Sequence, residues 1–359
     1  MTVDDVTITP LIIPTSLEAP DAGDFRAFGE LNRLVCDDET GLPDLAPTAA
    51  QMLPSWQDST DSLRRGFVAR RGEDIVGMVT STYAQEEGSR AAEFDILVRT
   101  VHTGTGVAER LLAVAEDDAR EHGRDVLQTW TLHRAITTEN MLVPRTGWGA
   151  IPRTPLAALL ERNGYALEQV ERNSELDLQG DRAPLERALA DALAVAGSDY
   201  RLVVWELPTP PALRDGYAEV LSRLVTDAPS GGMEFDAETW DAARVVRRDA
   251  RMTSAGQLVS VAAVEHVPSG ALVAYNELVI GEDRSGVTHQ FGTLVSADHR
   301  GHRLGMVVKC ANLLRWREAA PLSPRVSTFN AEENRPMLAI NEALGFRAVS
   351  YGAAWQKRA

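Results

Sequence analysis

The amino-acid sequence predicts an α+β protein built from two copies of one domain. Three observations predict it: a segment repeats within the chain, both copies show the same order of strand-like and helix-like segments, and a glycine-containing turn precedes a helix in each. The length of 359 residues favours two domains over one. We predict an N-terminal domain over residues 1–180, a linking helix over 181–197 and a C-terminal domain over 198–359.

The repeat is clearest around the glycine-containing turn. LVRTVHTGTGVAERLL lies over LVSADHRGHRLGMVVK, so that Val98 matches Val295 at an offset of 295 − 98 = 197. Near the end of each half, Gly164 matches Gly345 at an offset of 345 − 164 = 181. The second offset is shorter because the first half carries an insertion over 141–155, which is rich in Gly and Pro and which we predict to be an ordered loop.

The elements follow in the same order in both halves. Each opens with a strand and a helical region, and then come strands with β-branched residues between turn residues, at 65–71, 74–84, 258–267 and 271–280. After the turn, apolar residues recur at i, i+3, i+4 and i+7, which predicts a helix: Ala108, Leu111, Leu112 and Ala115 in the first half, and Leu304, Val307, Val308 and Ala311 in the second. A short strand (126–131; 325–330), a helix and final strand material complete each half.

Composition excludes several functions. The net charge of −16 argues against broad contact with nucleic-acid phosphates. Neither of the two lysines, Lys309 and Lys357, follows a glycine, so the chain contains no P-loop. The two cysteines, Cys36 and Cys310, cannot build a metal site by their spacing, and we expect no structural disulfide. The acidic start and the lack of a long apolar run predict a soluble, cytoplasmic protein without a membrane partner.

The glycine-containing turn indicates an anion site. A strand that feeds such a turn at the start of a helix collects backbone N–H groups at the positive end of the helix dipole. A dinucleotide fits poorly, because the third glycine of that fingerprint falls at Glu109 and the motif lies in the middle of the domain. The anion is therefore expected to be of another kind.

With these segments, the chain resembles the GNAT superfamily of acyl-CoA-dependent N-acetyltransferases, in the tandem layout of mycothiol synthase. The pyrophosphate loop of that family reads Arg/Gln-x-x-Gly-x-Gly/Ala. The second half supplies Arg300 and Gly305 but has Arg303 at the central glycine, whereas the first half supplies Gly106 and Ala108 but has Thr103 at the first position. The resemblance implies two mixed sheets, each flanked by helices.

The resemblance also implies the chemistry. Acetyl-CoA is the acyl donor, no metal is required, and a primary amine, expected to belong to a small molecule, attacks the thioester directly. The strand before the loop holds the pantetheine arm where it splays from its neighbour at a bulge, and the loop holds the pyrophosphate. The residues implied to bind acetyl-CoA are Leu294, Val295, Arg300, Gly301, His302, Arg303, Leu304, Gly305, Asn330 and Asn334 in the second half, with Val98, Thr103, Gly104, Thr105, Gly106 and Ala108 in the first.

We expect catalysis in the second half, as the resemblance implies for tandem members, with Glu277 or His289 as the base. Asn341 stands near the position of the family's Tyr acid and could place a ligand. The alternatives are that Glu277 belongs to a structural ion pair, that His289 is a buried structural histidine, and that the asparagines are cap and turn residues.

The first half offers acidic residues, Glu93 and Asp95, on the strand before its own loop, where a base could stand. At the 197-residue offset these correspond to Gln290 and Gly292. The first half is expected to be a structural or cofactor-holding partner.

The competing function is a protein that binds or senses acyl-CoA without turnover. The absent Tyr and the imperfect loops favour it, and release of free CoA thiol separates the two functions. We expect a monomer or a homodimer, whose partner is a small-molecule amine.

Overall fold

A computed structural model describes residues 5–227, 229–236 and 238–359. The first half contains, in chain order, β1 Val6–Pro10, α1 Gly23–Thr40, α2 Ala49–Gln57, β2 Ser62–Arg71, β3 Asp74–Ala84, β4 Ala91–Leu97, α3 Val107–Glu121, β5 Val126–Arg134, β6 Met141–Leu142, β7 Ile151–Pro152, α4 Pro155–Arg162 and β8 Ala166–Asp177. The second contains α5 Ala183–Ala196, β9 Tyr200–Glu206, α6 Arg214–Ser222, α7 Leu224–Asp227, α8 Ala242–Ser254, β10 Leu258–His266, β11 Ala271–Ile280, β12 Thr288–Val295, α9 Leu304–Ala319, β13 Arg325–Ala331, α10 Arg335–Leu344 and β14 Arg347–Arg358.

These elements confirm the predicted α+β class and the repeated order of strands and helices. The insertion over 141–155 is ordered, because β6 and β7 pair within it. Helix α5 lies inside the predicted linker, and the domain boundaries at 180 and 198 stay a prediction. No helix among the described residues is long and apolar enough to cross a bilayer.

Both halves contribute to one sheet of twelve strands within the described residues, in the order β1-β2-β3-β4-β5-β14-β8-β13-β12-β11-β10-β9. The last strand of each half pairs with the fifth strand of the other: β14 with β5, and β8 with β13. Strands β14 and β8 also pair with each other. Backbone hydrogen bonds therefore join the two halves across the middle of the sheet.

Helices cover both faces of the sheet in the first half because the strands carry apolar side chains on both faces. Val79 packs with Leu111 of α3 in one core cluster, whereas its neighbour Met78 packs with Phe28 and Trp56 of α1 and α2 in another. Successive strand residues point to opposite faces, so both faces of β3 are apolar and both require a helical layer.

In each half, two neighbouring parallel strands pair over only a few residues and then diverge. Strand β4 pairs with β5 only from Ala91 to Phe94, and β12 pairs with β13 only at Thr288 and His289. Beyond these residues each pair diverges, as the resemblance implies, and leaves an opening in the sheet beside the glycine-containing loop.

A bulge accompanies this divergence in the second half alone. The β11–β12 register shifts between Asn276 and Leu278, whereas β3 and β4 pair without a shift. The bulge changes which residues of the two halves occupy the same position in the sheet. In the first half Thr82 pairs with Glu93. The residue equivalent to Thr82 in the second half is Val279 (82 + 197 = 279), and it pairs with His289. Glu93 thus corresponds in the sheet to His289, and not to Gln290 as the simple offset predicts.

An isolated ammonium group lies inside the second half. Lys309 of α9 is fully buried, and its Nζ lies 3.8 Å from Met337 Sδ and 5.5 Å from the centre of the Phe346 ring. Burial lowers the pKa of Lys309 to about 7. The first-half residue at the 197 offset is Leu112, an ordinary core residue, which indicates that the site packs well without a charge.

We therefore expect Lys309→Met to stabilise the protein by about 2–5 kcal/mol at pH 7. In the wild type, Lys309 binds its proton more tightly in the unfolded chain than in the folded one, which favours unfolding, and the Met variant lacks this effect. The wild-type penalty is full below pH 7 and disappears as the pH rises towards the unfolded pKa of 10.5. Urea unfolding across this range should show wild-type stability rising relative to the variant's. A constant difference between the two proteins would contradict the assigned pKa.

Candidate functional site

The two glycine-containing loops have the same backbone conformation. Gly104 and Gly106 have φ values of 73° and 78°, and the equivalent Gly301 and Arg303 have values of 88° and 56°. Helices α3 and α9 begin directly afterwards, so both loops present the N–H groups of a helix start. Arg303 adopts the left-handed conformation without being a glycine, at a cost of about 1–2 kcal/mol.

In the first half this loop lines a cavity of about 260 Å³, here called the outer cavity. The cavity extends from the loop into the opening between β4 and β5, and its floor and walls are mostly apolar. Its lining includes Thr103, Gly104, Ala108, Ile96, Val98, Leu132, Leu156 and Leu159. An apolar channel that ends at a helix N-terminus suits a long ligand with an anionic end.

A second cavity of about 440 Å³, here called the inner cavity, lies on the α1 and α2 side of the same opening. Glu39, Ile96, Leu132 and Leu156 line both cavities, so the two meet at the divergence of β4 from β5. A ligand in the outer cavity and another in the inner cavity would therefore meet at this point.

Two carboxyl groups lie where the cavities meet. Glu39, on α1, lines both cavities, and Asp95, on β4, lines the inner one. Asp95 is exposed to the space of the inner cavity and Glu39 is half-buried, but the protein around them keeps both carboxyls away from bulk water. This desolvation raises the pKa of Asp95 to about 6 and that of Glu39 to about 8, although the N–H of Leu132 opposes the rise at Glu39. Neither carboxyl forms an ion pair with any side chain of the described residues. At neutral pH, Asp95 is mostly ionised and Glu39 is mostly protonated.

In the second half, the arginine of the loop is held by local carbonyl groups and a helix packs against the end of the loop. Arg300 donates from Nε to Val295 O at 3.3 Å and from Nη2 to Asp227 O at 3.1 Å. Helix α10 packs against the start of α9 so closely that a Cβ on Gly305 would lie 3.1 Å from Ile340 Cδ1. The expectation that the second half is the catalytic one therefore lacks structural support, because the described cavities at a strand opening are in the first half.

The other predicted cofactor residues of the second half have local partners. Asn334 caps α10 by accepting from Met337 N at 3.4 Å, and Asn330 Oδ1 accepts from Asn341 Nδ2 at 2.7 Å. Leu294 is buried in the core. His302 and Leu304 complete the loop without any contact to a described cavity. The cap and turn alternative accounts for Asn334, and Asn341 keeps an unpartnered Oδ1 inside the protein.

Glu277, predicted as a base, is held in a buried ion pair. Arg248 Nη2 donates to both carboxylate oxygens, at 2.8 and 2.9 Å, and the hydroxyl of Tyr217 donates to Oε1. Tyr275 packs beside this group and against Gly292 at the bulge. Because the region that corresponds to the inner cavity is filled in this way, we assign Glu277 a structural role.

We expect Glu277→Gln to destabilise the protein by about 3 kcal/mol, because the Arg248 guanidinium would remain buried without its counter-charge. The turnover of the folded protein should not change. Chemical unfolding and initial rates on the same preparation check the two parts. A large loss of kcat without a loss of stability would restore Glu277 as a base.

His289, the other predicted base, lies in a cavity between the halves, near Asp44 and Arg325. Burial lowers its pKa. This cavity is lined by α1, α2 and the end of β11, and it does not adjoin the second-half loop. His289 is therefore placed away from the loop that was expected to bind the cofactor.

The comparisons with known proteins agree with this geometry. Residues 32–137 match the model of the Acetyltransferase (GNAT) family, a segment that contains Glu39, Asp95 and the first-half loop. A solved tandem GNAT protein from the clavulanic acid biosynthesis pathway superposes with a TM-score of 0.72 at 23% identity, over 98% of each chain. Residues 32–137 therefore match the GNAT acetyltransferase family, and the whole chain has the fold of a tandem GNAT protein.

Other solved structures share the fold of this chain at lower identity. A GCN5-related N-acetyltransferase from Sphaerobacter thermophilus gives a TM-score of 0.62 at 13% identity, covering 100% of this chain and 97% of that one. A glucosamine N-acetyltransferase region of a fungal multi-domain β-N-acetylglucosaminidase gives 0.62 at 11%, covering 98% of this chain and 38% of that one. No curated protein matches the sequence.

Sequence reasoning identified the first-half loop and noted Asp95, but it missed Glu39. Glu39 lies near the end of α1, where the helical pattern is irregular, and it reaches a strand 95 − 39 = 56 residues later. Its only sequence signal is an acidic residue late in a helix, where the dipole disfavours negative charge.

Proposed function

We propose that this protein transfers an acetyl group from acetyl-CoA to a primary amine of a small molecule, and that the reaction takes place in the first half. The observation that carries the proposal is the meeting of the outer and inner cavities at Glu39 and Asp95. The outer cavity fits acetyl-CoA, since its loop can hold the pyrophosphate and its apolar walls can hold the pantetheine arm. The inner cavity, of about 440 Å³, suits a small amine better than a protein chain.

The two carboxyls supply the proton transfers. Asp95, ionised at neutral pH, removes the proton from the attacking amine, and the nitrogen forms a bond to the thioester carbonyl carbon. When the tetrahedral intermediate collapses, the carbon–sulfur bond breaks and Glu39 donates its proton to the sulfur. The products are an N-acetyl amine and free CoA thiol. Because its raised pKa keeps Glu39 protonated at neutral pH, Glu39 can act as the acid in place of the family's Tyr.

The second half supports the first in this proposal. Its strand β14 pairs with β5, and residues of β5 line both cavities. The second half thus holds β5 in the position that keeps the sheet open.

The test is to incubate the protein with acetyl-CoA and a panel of primary amines and to measure free thiol and the acetylated amine. Rates with an amine should exceed those of acetyl-CoA alone. Calorimetry should show one acetyl-CoA per chain. Stoichiometric binding without thiol release for any amine would contradict the proposal and favour a protein that senses acyl-CoA.

A further inference from the structure

The inner cavity does not end at Asp95. Arg64 and Thr82 line both it and a further cavity of about 230 Å³, here called the distal cavity. The distal cavity is bounded by β2, β3, β4 and β5 and by side chains of the second half, among them Phe235 and Arg244. A ligand longer than the inner cavity can therefore continue into the distal one.

Two acceptor groups without a hydrogen-bond donor line the distal cavity. Glu93 lines it and forms no ion pair or hydrogen bond with any side chain of the described residues. Gln128, its partner in the β4–β5 register, is fully buried. Its Nε2 donates to Glu234 O at 2.7 Å and to Gln356 Oε1 at 2.9 Å, which fixes the amide, and its Oε1 is left without a hydrogen bond.

An orphaned, fully buried carbonyl oxygen is costly unless a ligand supplies the donor. Glu93 and Gln128 together require a group that only donates and that carries positive charge. An alkylammonium has three donors and no acceptor, which matches this pair.

The net charge of the lining agrees. Besides Glu93, the distal cavity presents the carboxyls of Glu86, Asp236 and Glu238, against two guanidinium groups. Arg244 is already paired with Glu86 and Glu238, and Arg64 donates to Ser55 O at 2.9 Å. Asp236 accepts three local hydrogen bonds, so Glu93 is the carboxyl of this lining that is left for a cationic ligand.

The spacing of the carboxyls limits the ligand. Glu93 and Asp95 are two residues apart on β4, so they lie on the same face, roughly 6.6 Å apart along the strand. A short chain of methylene groups spans such a distance, with one nitrogen at each carboxyl.

From this geometry we propose that the acceptor is a linear aliphatic diamine or polyamine. One amine lies at Asp95 and accepts the acetyl group, while a second ammonium lies in the distal cavity and binds Glu93 and Gln128 Oε1. Glu93 is thus a specificity-determining residue. The inference rests on the proposed function for the transfer step, although the binding of the second ammonium can be measured without it.

The test compares pentane-1,5-diamine with pentylamine, which lacks only the second ammonium. Calorimetry on the full chain should show the diamine binding about ten- to a hundredfold more tightly than pentylamine. This is the gain in affinity expected from one charge-assisted hydrogen bond of the second ammonium. In Glu93→Gln this preference should fall to about threefold or less, and the ratio of kcat/KM values for acetylation should fall with it. Glu87→Gln, an exposed neighbour outside the cavities, should keep the wild-type preference.

Equal binding of the two amines by the wild type, or an unchanged preference in Glu93→Gln, would overturn this inference. If both amines are nevertheless acetylated, the proposed function stands alone. If the diamine binds with a Glu93-dependent preference but no thiol is released, the second-ammonium site stands and the transfer reaction does not.

Discussion

Replacing Asp95 with Asn should lower kcat for amine acetylation by about 10²–10⁴-fold, while acetyl-CoA affinity changes little. A positioned general base contributes this much to proton-transfer chemistry, and an amide cannot take the proton. Asp95 does not line the outer cavity, where the proposed function places the thioester arm, so acetyl-CoA binding should not depend on this carboxyl. Initial rates of thiol release at saturating amine, with acetyl-CoA titrated separately, check both parts.

The pH profile separates the base from the acid. Wild-type kcat should rise with pH through about 6, as Asp95 ionises, and fall through about 8, as Glu39 loses the proton that it donates. Glu39→Gln should lower kcat and remove the fall at high pH. Asp95→Asn should remove the rise at low pH.

Asp117→Asn is the matched control, because its carboxyl is 69% exposed on α3 and pairs with Arg120. It should behave as the wild type. An Asp95→Asn variant that keeps a third or more of the wild-type kcat would remove Asp95 from the mechanism and direct attention to Glu39 as the base.

Gly104→Asp should weaken acetyl-CoA binding by at least about a hundredfold. Gly104 has φ of 73° and open space around the position of a Cβ, so an Asp side chain fits sterically. It would place a negative charge at the start of α3, where the proposed function places the pyrophosphate. The left-handed backbone adds a modest strain, which Asp tolerates better than most residues.

Gly301→Asp makes the same change in the second half, at φ of 88° and again with open space. It controls for strain and for charge, and calorimetry should show nearly wild-type binding. A site lost only in Gly301→Asp would move the cofactor to the second half, as the sequence first led us to expect. Two sites per chain, each lost in one variant, would show that both loops bind.

The fold could be predicted from the sequence because its signals are local and occur twice. The apolar spacing of Leu304, Val307, Val308 and Ala311 defines a helix without reference to the rest of the chain, and the repeat at 197 residues doubles each observation. The positions of both loops follow in the same way, since glycine in a left-handed turn before a helix is a property of a few adjacent residues.

The sequence could not show which half has an open site, because that depends on contacts between distant segments. Arg300 looks like the better phosphate ligand in the sequence, yet in the fold it binds the carbonyl oxygens of Val295 and Asp227. Glu277 looks like a base on a strand, but Arg248 and Tyr217 enclose it. Side-chain identity shows what a residue can do, and packing shows what it is still free to do.

The sequence by itself determined the α+β class, the duplication and the two glycine-containing loops. Tertiary structure alone decided the pairing of β14 with β5 and of β8 with β13, the filling of one strand opening, and the meeting of Glu39 with Asp95 at the other. The physical reason is that strand pairing and desolvation depend on groups far apart in the chain, whereas helix periodicity and turn conformation depend on neighbours.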